Sequence, residues 1–158
     1  MINLRKIRDD EYPAYCNYFI ADYSHEIVLN YGHSIEVATE LANQDLLKYF
    51  PSGLGSNEHD LLCIEIDSNN AFKVIGYLWH CITPSDASTF IFDFYIADEY
   101  RSNGYGKKAI SQFEKLLMCS GVDQIKLRVA YQNQRALALY QEVGFTISGY
   151  NMSKKLSA

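Results

Sequence analysis

The sequence lacks any apolar run long enough to span a bilayer, and its four cysteines form no C-x-x-C pair. A membrane-spanning protein is therefore disfavoured, and cysteines this widely spaced indicate reduced core thiols rather than disulfides. No histidine or cysteine cluster has the spacing of metal ligands. Residues 1–10 are charged and alternating, without the apolar core of a signal peptide. These absences predict a cytoplasmic protein with no metal site and no membrane partner.

An excess of positive charge is also missing, because the formal net charge is −5 and the sequence pI is about 5.3. This balance argues against a nucleic-acid partner bound through a basic surface. It is compatible with a cationic small substrate, although mild acidity also occurs simply because it keeps proteins soluble. The chain has 158 residues and neither internal repeats nor a long linker. We therefore expect one domain covering residues 1–158.

Strand and helix patterns alternate along the chain in the order β-α-α-β-β-β-α-β-α-β-β. This order predicts a mixed α/β fold in which an antiparallel meander leads into a βαβ crossover, with four helices flanking a mostly antiparallel sheet of about seven strands. Strands are predicted at 2–7, 61–66, 72–82, 88–97, 124–130, 145–149 and 151–156. Helices are predicted at 10–24, 35–50, 106–120 and 133–143.

The most informative stretch is residues 94–109, where an apolar strand leads into a glycine-containing turn and then an amphipathic helix. Gly104 and Gly106 allow sharp bending and close approach of a ligand to the backbone. The helix start offers unpaired N–H groups and the positive end of its dipole, and Arg101, Lys107 and Lys108 add positive charge. These features suit a phosphate or pyrophosphate.

The same glycines, followed by Ala109, also fit the dinucleotide-binding pattern G-x-G-x-x-G/A. In a dinucleotide fold, however, the glycines directly follow the first strand. Here polar residues 98–103 intervene, and too few residues follow Gly104 to complete such a fold. The dinucleotide interpretation is therefore disfavoured.

A second pattern covers residues 133–145, in which Asn133, Ala136 and Tyr140 share one face of a helix. Taken alone, Asn133 is a typical helix N-cap and Tyr140 a typical core aromatic residue with a polar end.

Together the two patterns resemble the GNAT superfamily of N-acetyltransferases over residues 2–156. Its first signature, Arg/Gln-x-x-Gly-x-Gly/Ala between a strand and a helix, is matched by Arg101, Gly104 and Gly106. Its second signature, Asn-x-x-Ala-x-x-x-Tyr-x-x-x-Gly-Phe, is matched at all five defined positions: Asn133, Ala136, Tyr140, Gly144 and Phe145. The resemblance implies acetyl-CoA as acyl donor and a primary amine, most simply that of a small molecule, as acceptor.

In that family the pyrophosphate of coenzyme A lies on the glycine turn, and its pantetheine arm pairs with the preceding strand. A backbone N–H near Ile96 would then polarise the thioester carbonyl. The expected cofactor-binding residues are Tyr95, Ile96, Ala97, Arg101, Ser102, Asn103, Gly104, Tyr105, Gly106, Lys107, Asn133, Ala136 and Tyr140. The resemblance also implies that Tyr140 is the acid that protonates the departing thiolate.

A general base is also needed, because alkyl amines with pKa values of roughly 10 are protonated at neutral pH. Asp93 is the main candidate, since it interrupts an otherwise apolar strand where burial raises a carboxyl pKa. A carboxylate that is simply paired or exposed is an equal alternative. His80 is the next candidate, although a satisfied interior histidine is the more common case. Glu26 and Asp60 lie in segments that border the expected acceptor pocket.

Acceptor specificity is expected from the first two helices and the loop at 51–60. The tyrosines of this region would either bind a cationic amine through cation–π contacts or simply pack the helices. They are Tyr12, Tyr15, Tyr18, Tyr23 and Tyr31.

Three other functions remain open from the sequence. A protein or peptide amine is the nearest alternative acceptor. A non-catalytic acyl-CoA-binding regulatory domain would share the fold, and a purely structural domain would use the glycines only as a turn. Homodimers are frequent in the family, and the sequence carries no signature that selects or excludes one.

Overall fold

The computed structural model describes residues 1–54 and 58–157. Part of the loop predicted to contribute to acceptor specificity, residues 55–57, lies outside the described residues. The strands are β1 (Ile2–Lys6), β2 (His59–Ser68), β3 (Ala71–Thr83), β4 (Ser88–Ile96) and β5 (Gln124–Leu127). The helices are α1 (Tyr12–Tyr31), α2 (Ile35–Tyr49), α3 (Tyr105–Met118) and α4 (Gln134–Glu142). Among the described residues, no helix is both long enough and apolar enough to cross a membrane.

The strands form one mixed sheet in the order β1-β2-β3-β4-β5, which confirms the predicted α/β class. The first three pairings are antiparallel, whereas β4 and β5 are parallel and joined through α3. A parallel neighbour requires such a crossover, and the amphipathic α3 supplies it. Each face of the sheet has its own core. Phe113 and Leu117 of α3 pack on one face, while Tyr15 and Phe19 of α1 and Leu46 of α2 pack on the other.

The sheet has five strands rather than the predicted seven, because residues 145–157 carry no strand. Tyr150, Met152 and Leu156 in this segment are 77%, 93% and 89% exposed. A strand needs a hydrogen-bonding neighbour, and β5 ends at Leu127 instead of the predicted residue 130. The strands predicted at 145–149 and 151–156 are therefore absent.

Helix α1 runs to Tyr31, seven residues beyond the predicted end at residue 24. No glycine or proline lies between these positions to stop it. The helix ends where Gly32 adopts a left-handed conformation with φ of 69° and its N–H donates to the Val28 carbonyl at 3.1 Å. The longer helix includes Glu26, which lines a cavity described below.

A β-bulge in β4 shapes the centre of the sheet. Trp79 of β3 pairs with Asp93, but the next residue, His80, pairs with Ile91, so Phe92 is an extra residue without a partner. Because of this insertion, Phe92 and Asp93 both face α1 and α2: Phe92 stacks on Trp79 and Asp93 contacts Tyr15. Pairing between β4 and β5 also ends at Ile91. The remainder of β4 therefore borders an open cleft.

Candidate active site

Two neighbouring cavities lie at this cleft, with volumes of about 230 Å³ and 290 Å³. The smaller contains Asp93 and is called here the Asp93 cavity. The larger contains the glycine turn and is called the glycine-turn cavity. Both are lined by Phe94 of β4 and by Asn133, Ala136 and Tyr140 of the α4 region. The side chains of α4 thus form the boundary at which the two cavities meet.

The glycine-turn cavity presents backbone N–H groups to its interior. Ser102 and Gly104 have positive φ values of 65° and 79°, which turn the chain sharply into α3. The first backbone bond of α3 runs from the Lys108 N–H to the Gly104 carbonyl at 3.2 Å. The N–H groups of residues 105–107 precede that bond and have no acceptor within the helix. This end of α3 has the geometry of an anion-binding site.

Cationic side chains surround the same cavity at positions that the helix dipoles disfavour. Lys107 lies in the first turn of α3 and Arg135 in the first turn of α4, and both line the cavity. A helix N-terminus carries partial positive charge, so cations there destabilise the empty protein. Glu142 of α4 offsets one of them through an ion pair with Lys107. A bound anion would relieve the rest of this repulsion.

Arg135 was not among the residues predicted from the sequence. Its guanidinium Nη2 donates to the Ser102 hydroxyl at 3.3 Å, so it links α4 to the glycine turn. The signal that identifies it is its charge, since an arginine in the first turn of a helix is unfavourable unless an anion is nearby. Leu139 is a second such residue: it lines the cavity and lies so close to Gly106 that a Cβ there would be 3.0 Å from it.

Arg101 and Asn103 hold the turn in shape. The Arg101 Nε–H donates to the Ile96 carbonyl at 2.7 Å, its guanidinium lies 5.6 Å from the centre of the Tyr95 ring, and it pairs with Asp98. The Asn103 side-chain amide donates to the Tyr100 carbonyl at 3.2 Å and to the Arg101 carbonyl at 3.1 Å.

Most of the predicted cofactor-binding residues line one or both cavities. The three that line neither are Tyr95, Ala97 and Asn103.

The backbone of β4 explains why Tyr95 and Ala97 differ from their neighbours. The Ala97 N–H donates to the Ile75 carbonyl of β3 at 2.8 Å. Backbone groups alternate along a strand, so those of Tyr95 also face β3, whereas those of Phe94 and Ile96 face the cleft. The Ile96 amide, for which the sequence predicts a carbonyl-polarising role, therefore faces the cleft, whereas the Tyr95 ring packs against that of Tyr18 with centroids 4.0 Å apart.

Asp93 is held by two hydroxyl groups from α1. The Tyr15 hydroxyl donates to Oδ2 at 2.9 Å and the Tyr18 hydroxyl donates to Oδ1 at 3.2 Å. Burial raises the pKa of Asp93 to about 7, the two tyrosine bonds oppose this rise, and the nearby charges of Asp22 and Glu26 add to it. A carboxyl with a pKa near neutrality is suited to exchange protons.

The rest of the Asp93 cavity is acidic and aromatic. Asp22, Glu26 and Asp45 line it together with one cation, Arg128. Burial raises the pKa of both Asp22 and Glu26, and Arg128 partly offsets the rise at Glu26. The aromatic lining consists of Phe19, Tyr23, Tyr49, Trp79, Phe90, Phe92, Phe94 and Tyr140. This lining suits a ligand with a cationic group and an apolar body.

Only one of the five tyrosines considered from the sequence, Tyr23, lines this cavity. Tyr15 and Tyr18 bond to Asp93, while Tyr12 packs against Phe50. Of the five, Tyr23 is therefore the one whose ring could contact an amine in this cavity.

His80 and Asp60 are not at either cavity. His80 is buried on the α3 face of the sheet, where its ring meets Phe113 edge to face at 4.7 Å and its Nδ1 shares a hydrogen bond with the Thr89 hydroxyl at 2.8 Å. Asp60 lies 3.8 Å from its Nε2. Of the four candidate bases, the structure brings Asp93 and Glu26 to the cavity.

Tyr140 lies at the boundary of the two cavities and is only 8% exposed. Its ring packs between those of Phe94 and Phe145, with centroids 6.3 and 5.5 Å away, and burial raises its pKa. Asn133 caps α4, since its side-chain oxygen accepts from the Ala136 N–H at 3.1 Å. Asn133 therefore fixes the start of the helix that carries Tyr140 between the cavities.

Comparison with known proteins gives consistent matches. A family model described as acetyltransferase (GNAT) family matches residues 31–145. The chain is 29% identical over 157 residues, 98% of its length and 99% of the other, to YycN of Bacillus subtilis, which is named as an uncharacterized N-acetyltransferase. The crystal structure of YycN superposes with a TM-score of 0.90 over the whole of both chains.

Of two more distant matches, one is in sequence and the other in fold. A thialysine N-epsilon-acetyltransferase of Bos taurus is 31% identical over 74 residues, covering 45% of this chain and 44% of that protein. The structure of AAC(6')-Iy in complex with the bisubstrate analogue CoA-S-monomethyl-acetylneamine has a TM-score of 0.57 at 11% identity, over all of this chain and 99% of that one.

Proposed function

Because the chain belongs to the acetyltransferase (GNAT) family, we propose that it transfers an acetyl group from acetyl-CoA to a primary amine of a small molecule. The observation that carries this proposal is the meeting of two chemically different cavities at Tyr140. One has the amides and cations that an anionic cofactor needs, and the other has a carboxyl group poised to accept a proton.

The residues of the glycine-turn cavity fit coenzyme A. The N–H groups of residues 105–107, with Arg101, Lys107 and Arg135, would hold its phosphates, and the cleft-facing backbone of β4 would pair with its amide-rich arm. When bound, acetyl-CoA supplies a thioester whose carbonyl carbon is open to attack by an amine. The Ile96 N–H would stabilise the negative charge that develops on the carbonyl oxygen.

Asp93 would accept a proton from the amine, and Tyr140 would donate one to the thiolate. An alkyl ammonium ion must lose a proton before it attacks, and Asp93 lies in the cavity where the amine would bind. Tyr140 remains protonated across the physiological range because burial raises its pKa, so its hydroxyl is available to protonate the departing thiolate. Holding both reactants at one boundary supplies much of the remaining rate enhancement.

The acceptor is a small cationic amine on three grounds. The Asp93 cavity of about 230 Å³ has room for a small molecule. Its carboxylates outnumber its single lining cation, so it attracts positive charge. The bovine relative is named for the ε-nitrogen of thialysine, and an amine of that size suits this volume.

The test is thiol release from acetyl-CoA in the presence of monoamines, diamines, basic amino acids and a lysine-containing peptide. We expect release with small amines, and a several-fold higher KM in Glu26→Gln because that variant removes one negative charge from the acceptor cavity. Thiol release with the peptide and with none of the small amines would show that the acceptor is a protein or peptide amine rather than a small molecule.

Donor binding is tested separately by thermal unfolding with acetyl-CoA, with NAD as the control. A ligand at about 100 times its Kd adds roughly 2.7 kcal/mol to the free energy of unfolding, which raises the melting midpoint by roughly 5–10 °C for a domain of this size. Binding without thiol release from any amine would indicate a regulatory acyl-CoA-binding domain, and no shift would refute the donor assignment.

A further inference from the structure

Two tyrosine hydroxyls from α1 donate hydrogen bonds to Asp93, each to a different carboxylate oxygen. Tyr15 donates to Oδ2 and Tyr18 to Oδ1, at 2.9 and 3.2 Å, and a spacing of three places both on one face of α1. We propose that Tyr15 and Tyr18 are positioning residues that hold the Asp93 carboxylate in its charged form and aim it into the acceptor cavity. This inference rests on the proposed function, since it matters for turnover only if Asp93 takes the proton of the amine.

The backbone around Asp93 shows why such positioning is needed. Asp93 follows the unpaired Phe92 of the bulge, and beyond Ile91 the strand has no partner on its β5 side. The sheet therefore supports Asp93 from one side only. The hydroxyl bonds from α1 supply the missing constraint.

The two donors are themselves packed among aromatic rings. Tyr15 is fully buried, with its ring perpendicular to that of Tyr77 at 4.9 Å. The Tyr18 ring lies 4.0 Å from that of Tyr95 and 5.6 Å from that of Tyr77. Donors locked by packing keep their orientation through a reaction cycle, which is what a supporting shell requires.

The two tyrosine hydroxyls also affect the pKa of Asp93. Burial and the charges of Asp22 and Glu26 favour the protonated form of Asp93, whereas the Tyr15 and Tyr18 bonds favour the charged form. Burial raises the pKa of both tyrosines well above the ordinary value, so they remain donors at working pH. The titratable and charged groups that bond to Asp93, line its cavity or contact its tyrosine donors are Tyr15, Tyr18, Asp22, Tyr23 and Glu26 of α1, Asp45 and Tyr49 of α2, Tyr77 of β3, Tyr95 of β4, Arg128 after β5, and Tyr140 of α4.

Substitution by phenylalanine separates this role from packing, because it keeps the ring and removes only the hydroxyl. The variants are Tyr15→Phe and Tyr18→Phe. The matched control is Tyr77→Phe, which removes a hydroxyl from the same aromatic cluster, where the Tyr77 ring touches both of the other rings. Tyr18 is partly exposed, so its variant serves if the substitution at the buried Tyr15 prevents folding.

The first measurement is the carboxyl ¹³C titration of Asp93 by NMR in protein labelled at aspartate, with the resonance assigned by its loss in Asp93→Asn. It needs neither cofactor nor acceptor. We expect the titration midpoint to rise by roughly one pH unit in each of the two variants and to stay at the wild-type value in Tyr77→Phe. The second measurement compares the pH profiles of kcat/KM of each variant and of the wild type with the same amine, so that the titration of the amine is common to both. The acidic limb should move between them by the same amount.

Unmoved titration midpoints in both folded variants, or moved midpoints with an unmoved kinetic limb, would overturn the inference. A wild-type protein that releases no thiol with any amine would instead refute the proposed function, and with it the catalytic role of the two tyrosines. The NMR titration tells these failures apart, because the support of Asp93 by the two hydroxyls is measured without turnover.

Discussion

Replacing Asp93 with asparagine should stabilise the protein at alkaline pH while removing its activity. Burial raises the pKa of this carboxyl from 3.8 to about 7 in the folded protein. Since the folded-state pKa lies above the unfolded one, the stability associated with the bound proton is complete below pH 4 and is lost as the pH rises towards 7. At about 1.36 kcal/mol per pKa unit, the loss amounts to about 4 kcal/mol.

Asparagine is neutral at every pH and avoids this loss. It also gives up one of the two tyrosine bonds, at a cost of about 1 kcal/mol that does not depend on pH. The advantage of Asp93→Asn over the wild type should therefore grow between pH 5 and pH 8 by roughly 3 kcal/mol. For a domain of this size the difference in melting midpoint should grow by roughly 6–12 °C.

The assay is thermal unfolding of both proteins across this pH range without ligand. Asp67→Asn is the matched control, since it changes an exposed carboxylate of β2 and should show no comparable growth. A difference in midpoint between Asp93→Asn and the wild type that stays constant from pH 5 to pH 8 would refute the argument from burial.

Activity gives an independent test of the same variant. The free-base fraction of the amine acceptor also rises with pH, so a single profile does not isolate Asp93. The ratio of wild-type to variant kcat/KM cancels the titration of the amine. If Asp93 is the base, that ratio should increase with pH and level off above about pH 7.

Three further changes test other parts of the site. Tyr140→Phe should lower kcat roughly 100-fold with the Kd for acetyl-CoA unchanged, measured by turnover and calorimetry; unchanged turnover would remove Tyr140 from the mechanism. Arg135→Gln should raise the Kd for acetyl-CoA about tenfold, the effect of losing a charged hydrogen bond, while Lys115→Gln in the last turn of α3 should leave it unaltered. Gly104→Ala should lower the free energy of unfolding by about 1–2 kcal/mol because φ is 79° there. The control Gly149→Ala, where no atom lies within 4 Å of the new Cβ, should melt like the wild type. Equal melting midpoints for Gly104→Ala and the wild type would contradict the argument from backbone strain.

Local rules predicted the parts of the fold that depend on neighbours in sequence. The glycine turn before α3 and the Asn133 cap of α4 follow from backbone freedom and side-chain bonding within a few residues. It was the family resemblance, not local rules, that implied a common site for Gly104, Gly106 and Tyr140, and all three line one cavity. Local rules also predicted the hairpin between β2 and β3.

What the sequence did not reveal depends on pairing between distant segments. Near Phe92 the residues on both faces of the strand are mostly aromatic or apolar. The sequence therefore has no alternation of apolar and polar residues that would show the position of the bulge. The bond between Tyr15 and Asp93 joins positions 78 residues apart. The failed prediction of strands after residue 144 has the same origin, since a strand pattern forms a strand only where a sheet edge accepts it.

The single extra residue in β4 links the features of the site. Without Phe92 as an unpaired residue, Asp93 would keep the opposite side of the strand and face α3 rather than α1. The carboxyl would then lie in an apolar core without its tyrosine donors. By rotating the strand after Ile91, the bulge presents Asp93 to the acceptor cavity at the point where β5 ceases to pair. The contact of Asp93 with its two tyrosine donors and its position in the acceptor cavity thus follow from one insertion.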